Sequence, residues 1–172
     1  YNGDHWGNVE VQLTDAFFAD EKALNNNYVI PVVMKKQTGA DRILTGTPLI
    51  EGDAPARPNS DYWSVLPQDY VLYCVKYMNP WQASYLRRGI DQITENGSVT
   101  TVVRHAETIE KDEVYSLDTR SLTTSVFTVN TKSTDGTTLA CDLLLTFNDA
   151  GECSITTETS GMTASGTGKY VV

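Results

Sequence analysis

The chain has 172 residues, with 13 Lys+Arg against 22 Asp+Glu and a formal net charge of −9. A chain of this length buries roughly 70% of the surface that its unfolded form exposes, enough for one large domain or two small ones without disulfides. The acidic balance excludes a nucleic-acid partner, because phosphate contacts require a basic surface. No apolar run is long enough to cross a bilayer, so the sequence predicts no membrane-spanning segment.

The first part of the chain predicts one short helix followed by one strand. Thr14 or Asp15 is placed to cap a helical stretch that ends at the polar triplet 25–27. Apolar residues then alternate with period two over 28–34, which is typical of a strand. Pro31 lies inside this stretch and predicts an edge strand or a bulge, because proline cannot donate to a sheet ladder.

A long irregular segment separates this strand from the rest of the chain. Glycine, proline and polar residues recur throughout 38–69 and prevent any long regular element. A connection of this length is usually a linker or a functional loop. We therefore place a domain boundary there, which gives the predicted domains 1–68 and 69–172.

The second domain is predicted to contain about eight sequential antiparallel strands, at 70–77, 84–93, 99–108, 113–119, 122–131, 138–147, 152–158 and 163–171. Asn96-Gly97 suits a two-residue hairpin turn, and Gly151 suits the left-handed position of another turn. In the most regular strand one face carries Cys141, Leu143, Leu145 and Phe147. Local hairpins favour an up-and-down barrel over a sandwich, because no Greek-key crossover is required.

The three cysteines, Cys74, Cys141 and Cys153, are predicted to be reduced and mostly buried. Cys141 and Cys153 flank a hairpin whose turn centres on 149–150, so Cys153 should face about Thr146. At about 3.3 Å per strand residue the two sulfurs are more than ~10 Å apart, which is beyond the distance that a disulfide bridges.

No motif predicts a catalytic centre, a metal site or a cofactor. The HExxH, CxxC and GxSxG patterns are absent. The glycine-containing segment 161–169 places its lysine two residues late for a phosphate loop, and no helical pattern follows it. Acidic residues at 51, 53 and 61 match no calcium-binding loop. We therefore expect a protein that is not an enzyme.

Aromatic side chains in or beside turns are the strongest candidates for a binding site. Exposed rings stack on the apolar CH surface of sugars, while polar neighbours bond the hydroxyls. The candidate ligand-binding residues are Trp63, Trp81, Tyr62, Tyr85 and Arg87. The alternative for both tryptophans is packing at the domain junction, and the alternative for Arg87 is an ion pair with a nearby carboxylate such as Asp91.

Four segments resemble a family of Bacteroidetes surface lipoproteins of uncharacterised function: NNNYVIPVVMKKQTGADRIL, DYVLYCVKYMNPWQASYLRRGID, VVRHAETIEKDEVYSLDT and CDLLLTFNDAGECSI. The resemblance covers nearly the whole chain. It implies the C-terminal portion of an Ig-like β-sandwich followed by a lipocalin-like β-barrel. Family members carry more strands before Tyr1 and usually continue after Val172, so the resemblance also implies that the chain is a fragment.

The resemblance further implies a location and a function. The family is associated with glycan-utilisation gene clusters and is often labelled as cell-adhesion proteins. We therefore expect a non-enzymatic, glycan-binding accessory protein of a polysaccharide-utilisation system, at the extracellular face of the outer membrane, with any lipid anchor outside this chain. The alternative is a structural or cell-adhesion module that binds a surface protein through strand edges and flat surface.

Overall fold

The protein is almost entirely β in the computed structural model, which describes residues 9–133 and 135–171. Strands make up 43% of the chain and helical segments 9%, which confirms the predicted all-β class. The described residues divide into two compact units. The small unit is Asn25–Lys76, and the large unit combines the residues up to Leu24 with those from Tyr77 onward.

The small unit contains two short antiparallel sheets. Strand β1 (Tyr28–Val33) pairs with β4 (Tyr70–Val75), and β2 (Thr47–Pro48) pairs with β3 (Trp63–Val65). Pro31 is tolerated in β1 because this strand has a single neighbour, as predicted for an edge strand. The pairing with β4 places the end of this unit at Lys76, so the predicted boundary after residue 68 falls inside it.

The large unit is organised by a six-stranded antiparallel sheet in the order β12-β11-β10-β9-β8-β5. Its strands are β5 (Ala83–Arg87), β8 (Glu113–Thr119), β9 (Thr124–Lys132), β10 (Thr138–Phe147), β11 (Glu152–Thr157) and β12 (Gly166–Lys169). Neighbouring strands from β8 onward follow one another in sequence, as the predicted local hairpins require. The sheet curls into a half-barrel whose hydrogen-bonded order ends at β5 and β12. The lipocalin-like and Ig-like assignments stay predictions.

One predicted strand, 84–93, is two strands in the structure. β5 ends at Arg87 and pairs with β8, whereas β6 (Ile90–Glu95) pairs with β7 (Ser98–Val103) in a separate hairpin. The chain changes partner at Arg88 and Gly89, where Arg88 Nη1 donates to the buried carboxylate of Asp112 at 2.8 Å. The residue alternation continues across this point, so it carries no sign of the change. The β6–β7 turn has positive φ at Asn96 and Gly97, as predicted.

The predicted helix is present and short. Helix α1 (Asp15–Ala19) follows Thr14, whose side chain makes no capping hydrogen bond, and a 3₁₀ turn (Glu21–Leu24) continues it. Its aromatic side chains pack on Tyr77, whose ring centroid lies 5.3 Å from that of Phe18. The Tyr77 hydroxyl also donates to the Phe18 carbonyl at 3.0 Å. These contacts attach the N-terminal segment to the large unit.

The inner face of the sheet carries the alternating apolar residues predicted for β10. Leu145 pairs with Ser125 on β9 and with Ile155 on β11, so the same face continues across the three strands. All three cysteines are free, as predicted, and Cys153 faces Phe147, one residue from the predicted position. Cys153 is buried and Cys141 half-buried, but Cys74 is exposed, because β1 and β4 form only a two-stranded sheet.

Candidate functional site

The predicted binding residues are distributed over both units. Tyr62 and Trp63 belong to the small unit, where the Tyr62 side chain is 45% exposed and Trp63 only 7%. The Trp63 indole N–H donates to the Ala56 carbonyl at 3.3 Å, so this ring serves the packing of the small unit. Trp81, Tyr85 and Arg87 belong to the large unit, all in or beside β5.

A buried asparagine fixes the backbone that carries Trp81. Asn79 is 4% exposed, and its amide nitrogen lies 3.0 Å from the carbonyl oxygens of Ser121 and Thr124. Its amide oxygen accepts from the Trp81 backbone N–H at 3.2 Å and from the hydroxyl of Ser125, which is fully buried. The side chain of Asn79 therefore joins the turn before β5 to the loop before β9 and sets where Trp81 lies.

Trp81 is held at its ring by Phe147 and at its backbone carbonyl by Tyr85. It stacks on Phe147 with the ring centroids 4.2 Å apart and the planes 9° from parallel. The Tyr85 hydroxyl donates to the Trp81 carbonyl at 2.9 Å. Aromatic stacking of this kind adds about 0.5–1.5 kcal/mol beyond the buried area. Trp81 is therefore ordered before any ligand arrives, and its side chain is only partly exposed.

An open cleft of about 230 Å³ lies beside these rings, which we call the aromatic cleft. It is lined by Trp81, Tyr85, Leu117, Leu145, Phe147, Cys153, Ile155, Gly168, Lys169 and Tyr170. Tyr170 follows β12 and Tyr85 lies on β5, the two ends of the sheet order, so curling of the sheet brings them to one cleft. The structure thus joins two of the predicted residues, Trp81 and Tyr85, at a single site.

Glycine at position 168 allows β12 to pack closely on β11 at the edge of the cleft. A Cβ on Gly168 would lie 2.9 Å from the Cys153 sulfur, closer than carbon and sulfur can approach. Glycine at this position lets β12 lie against the Cys153 thiol while both line the cleft.

Two groups of the aromatic cleft, Tyr85 and Cys153, have a raised pKa. Burial raises the pKa of Tyr85, and the neighbouring Tyr170 raises it further. Burial likewise raises the pKa of the Cys153 thiol, which lowers its nucleophilicity at neutral pH. Lys169 supplies the cation of the lining residues. The cleft therefore offers ring surface, two phenol hydroxyls and one ammonium group, a set suited to binding.

Arg87 lies on the same face of β5 as Tyr85 but is engaged elsewhere. Its terminal nitrogen Nη2 donates to both carboxylate oxygens of Asp91, at 2.8 and 3.0 Å. This ion pair is the predicted alternative to ligand binding by Arg87. Its guanidinium also lies 5.1 Å from the ring centroid of Tyr115. Arg87 is thus part of a charged cluster and does not line the aromatic cleft.

Sequence reasoning missed Tyr170, Phe147 and Asn79 as parts of the site. Phe147 was assigned to the correct face of its strand, but nothing local showed that Trp81 would stack on it. Asn79 stands in the motif Asn-Pro-Trp, which signals a turn, although its partners lie more than 40 residues away. Among the residues that the structure describes, no group of three or more His, Cys, Asp or Glu is placed to hold a metal ion.

A family model for a domain of unknown function, DUF5627, matches residues 80–172, which is more than half of the chain. The matched segment begins one residue before Trp81 and includes every residue that lines the aromatic cleft. The chain belongs to the DUF5627 family. The family description assigns no activity.

The chain is also similar to a crystal structure from Bacteroides ovatus described as a structural-genomics protein of unknown function. The two are 44% identical with a TM-score of 0.84, over 93% of this chain and 50% of that one. The DUF5627 chain therefore spans about half the length of that protein. No curated protein matches. In the part of the chain that the structure describes, no helix is both long and apolar enough to span a membrane.

Proposed function

We propose that this DUF5627 protein is a non-enzymatic, glycan-binding accessory protein of a polysaccharide-utilisation system on the bacterial cell surface. The observation that supports this proposal is the meeting of Trp81, Tyr85 and Tyr170 at one open cleft. Sugar rings bind to aromatic faces through their CH groups, while hydroxyl and ammonium groups bond their oxygens.

The size of the aromatic cleft limits what it can hold. Its volume of about 230 Å³ is below the roughly 300–1,000 Å³ of pockets that enclose drug-sized ligands. The cleft is also open on one side. We therefore expect it to take one sugar residue, with the remainder of a glycan outside in solvent.

A glycan array with the purified protein tests the proposal. We expect saturable binding to a subset of glycans, lost in Trp81→Ala and weakened in Tyr170→Ala, whose ring is 37% exposed and contributes less to folding. Tyr73→Ala is the matched control, since Tyr73 is an exposed ring on β4 of the small unit. An array without a hit, or equal losses for Tyr170→Ala and Tyr73→Ala, would refute glycan binding at this cleft.

A second candidate function, a structural or cell-adhesion module that binds a protein partner, is favoured by a different surface. One face of the β1–β4 sheet exposes three neighbouring apolar side chains, each more than 40% accessible: Val32, Val71 and Tyr73. Contiguous apolar surface of this kind marks interaction sites. Cross-linking from the position of Val71 in intact cells should then recover a specific protein, and Val71→Glu should abolish that capture.

A further inference from the structure

A second cavity of the large unit, separate from the aromatic cleft, lies beneath the β6–β7 hairpin. Its volume is about 510 Å³, within the roughly 300–1,000 Å³ range of small-molecule sites. Its lining combines apolar side chains with charged groups, and five of its residues carry hydroxyls on short side chains: Ser98, Thr100, Thr131, Ser133 and Thr138. We call it the Arg104 cavity.

Arg104, which lines the cavity, shares a carboxylate with a second arginine behind it. Asp91 accepts from Arg104 Nε at 2.7 Å and from Arg87 Nη2 at 2.8 Å. Burial alone would raise the pKa of Asp91, but the hydrogen bonds and charges of Arg104 and Arg87 outweigh it and lower this pKa. The carboxylate is therefore ionised at neutral pH and faces two permanent cations.

The charges around the Arg104 cavity do not cancel. Arg87, Arg104 and Lys132 supply three positive charges against the two carboxylates of Asp91 and Glu95, a net charge of +1. This is opposite in sign to the whole chain, whose formal charge is −9. A site that differs in sign from the rest of its protein favours an anionic ligand.

Arg104 keeps unused hydrogen-bond donors at this site. Only its Nε is bonded to a side chain within the described residues, and its side chain is 17% exposed. The two terminal nitrogens form the fork that recognises carboxylates in pairs of parallel bonds. Leaving charged donors of a largely buried guanidinium without a partner is costly, so a carboxylate ligand would complete the arrangement.

A second polar group of the same cavity also has no partner. The Thr131 hydroxyl oxygen is buried and makes no hydrogen bond within the described residues. Buried hydroxyls are nearly always satisfied, so this oxygen is an exception. It has almost no accessible surface, so the features of the cavity that point to a ligand are its volume, its charge and the free donors of Arg104.

We propose that the Arg104 cavity binds a hexuronic acid, a sugar with one carboxylate, and that Arg104 is the residue that holds the carboxylate. The surrounding hydroxyls and the Asn130 amide match the hydroxyl groups of such a ring. The proposal names a ligand class for a second site, and it does not require that the aromatic cleft bind a glycan.

Calorimetric titration of the whole chain with D-glucuronate, its methyl ester, D-glucose and hexanoate tests this assignment. Glucuronate and its methyl ester differ chiefly in charge, so we expect at least about 10-fold tighter binding of glucuronate. Hexanoate carries the carboxylate without hydroxyls and should bind more weakly. Equal binding of glucuronate and its ester, equal binding of hexanoate and glucuronate, or no binding of glucuronate overturns the proposal without any variant.

Variants then locate the site. Arg104→Lys keeps a cation beside Asp91 but removes the planar fork, and we expect about a 10-fold loss of glucuronate affinity. Arg120→Gln is the matched control, because Arg120 forms a surface ion pair with Glu21. A loss in Tyr170→Ala with none in Arg104→Lys would place the ligand in the aromatic cleft and refute the assignment.

Discussion

The substitution Asn79→Asp tests whether a single buried amide positions the aromatic cleft. The change keeps the shape of the side chain and replaces its two N–H donors by a carboxylate oxygen. That oxygen would face the carbonyl oxygens of Ser121 and Thr124, now 3.0 Å from the amide nitrogen. Acceptor would face acceptor at a position that is only 4% exposed.

The expected cost follows from the groups left unsatisfied. The Thr124 carbonyl keeps two other donors, the backbone N–H groups of Arg120 and Ser121. The Ser121 carbonyl loses its donor at a cost of roughly 1–3 kcal/mol, to which the desolvated charge adds. We expect Asn79→Asp to lose about 4 kcal/mol of unfolding free energy at pH 7, a large fraction of the roughly 5–15 kcal/mol available to a domain.

The loss should depend on pH in a defined direction. Burial and the facing carbonyls raise the pKa of the introduced carboxyl in the folded state above its unfolded value of about 4. The folded state then binds more protons than the unfolded state, so the deficit relative to wild type shrinks as the pH falls through the folded-state pKa. The protonated carboxyl also regains one donor for one of the two carbonyls.

Urea unfolding at pH 7 and pH 5 measures the cost, and hydrogen exchange of peptides from 77–87 and 119–128 localises it to the large unit. Asn130→Asp is the matched control, since Asn130 is exposed on β9 and its side chain makes no hydrogen bond within the described residues. If both variants lose less than about 1 kcal/mol, Asn79 does not hold the turn that carries Trp81, and the reasoning is refuted.

Three further predictions concern other parts of the molecule. Gly168→Ala should lower the free energy of unfolding, measured with urea, by about 1–3 kcal/mol, because its Cβ would lie 2.9 Å from the Cys153 sulfur. Adding Cys153→Ala should recover part of this loss, and Gly89→Ala, which has open space around it, should cost less than either variant. If the losses of Gly168→Ala and Cys153→Ala simply add in the double variant, the two residues are not in contact. Hydrogen bonds from Arg57 lower the pKa of Asp69 below its ordinary value. The stability that Asp69 contributes is therefore present above about pH 4 and lost as the pH falls through the folded-state pKa. If the urea midpoint of Asp69→Asn depends on pH as that of the wild type does, the ion pair has no such role. Exposed Cys74 should react with a thiol reagent at pH 8 well before buried Cys153, whose pKa burial raises; equal rates by mass spectrometry would contradict the burial of Cys153.

Sequence reasoning succeeded where the determinant is local. The alternation in β10 predicts the face that bears Phe147, and Asn96-Gly97 predicts the turn between β6 and β7, because both depend only on neighbouring residues. It failed at Arg88 and Gly89, where the chain leaves one strand partner for another without a break in the pattern. Strand pairing is decided by distant segments, so an alternating run alone cannot show where one strand ends.

In the candidate sites, too, the sequence predicted what depends on neighbouring residues and missed what depends on distant ones. Trp81 and Tyr85 could be selected as ring-bearing residues near a turn, but their meeting with Tyr170 depends on the curl of six strands. Arg87 is predicted to bind ligand, with an ion pair to a nearby carboxylate such as Asp91 as the alternative, and the structure shows the ion pair. The contact of Arg104 with Asp91 was not predicted, because the Arg104 guanidinium reaches Asp91 only when β6 and β7 have paired.

The two sites lie at opposite ends of one strand, β10, and this distance determines whether one ligand can reach both. Thr138 begins β10 and lines the Arg104 cavity, whereas Phe147 ends β10 and lines the aromatic cleft. Nine residue steps at about 3.3 Å each separate these positions by roughly 30 Å along the strand. One monosaccharide cannot contact both sites, and residues this far apart with no shared partner contribute independently to binding. An affinity measured for an acidic sugar at the Arg104 cavity therefore says nothing of the aromatic cleft, and each site must be established by its own variants.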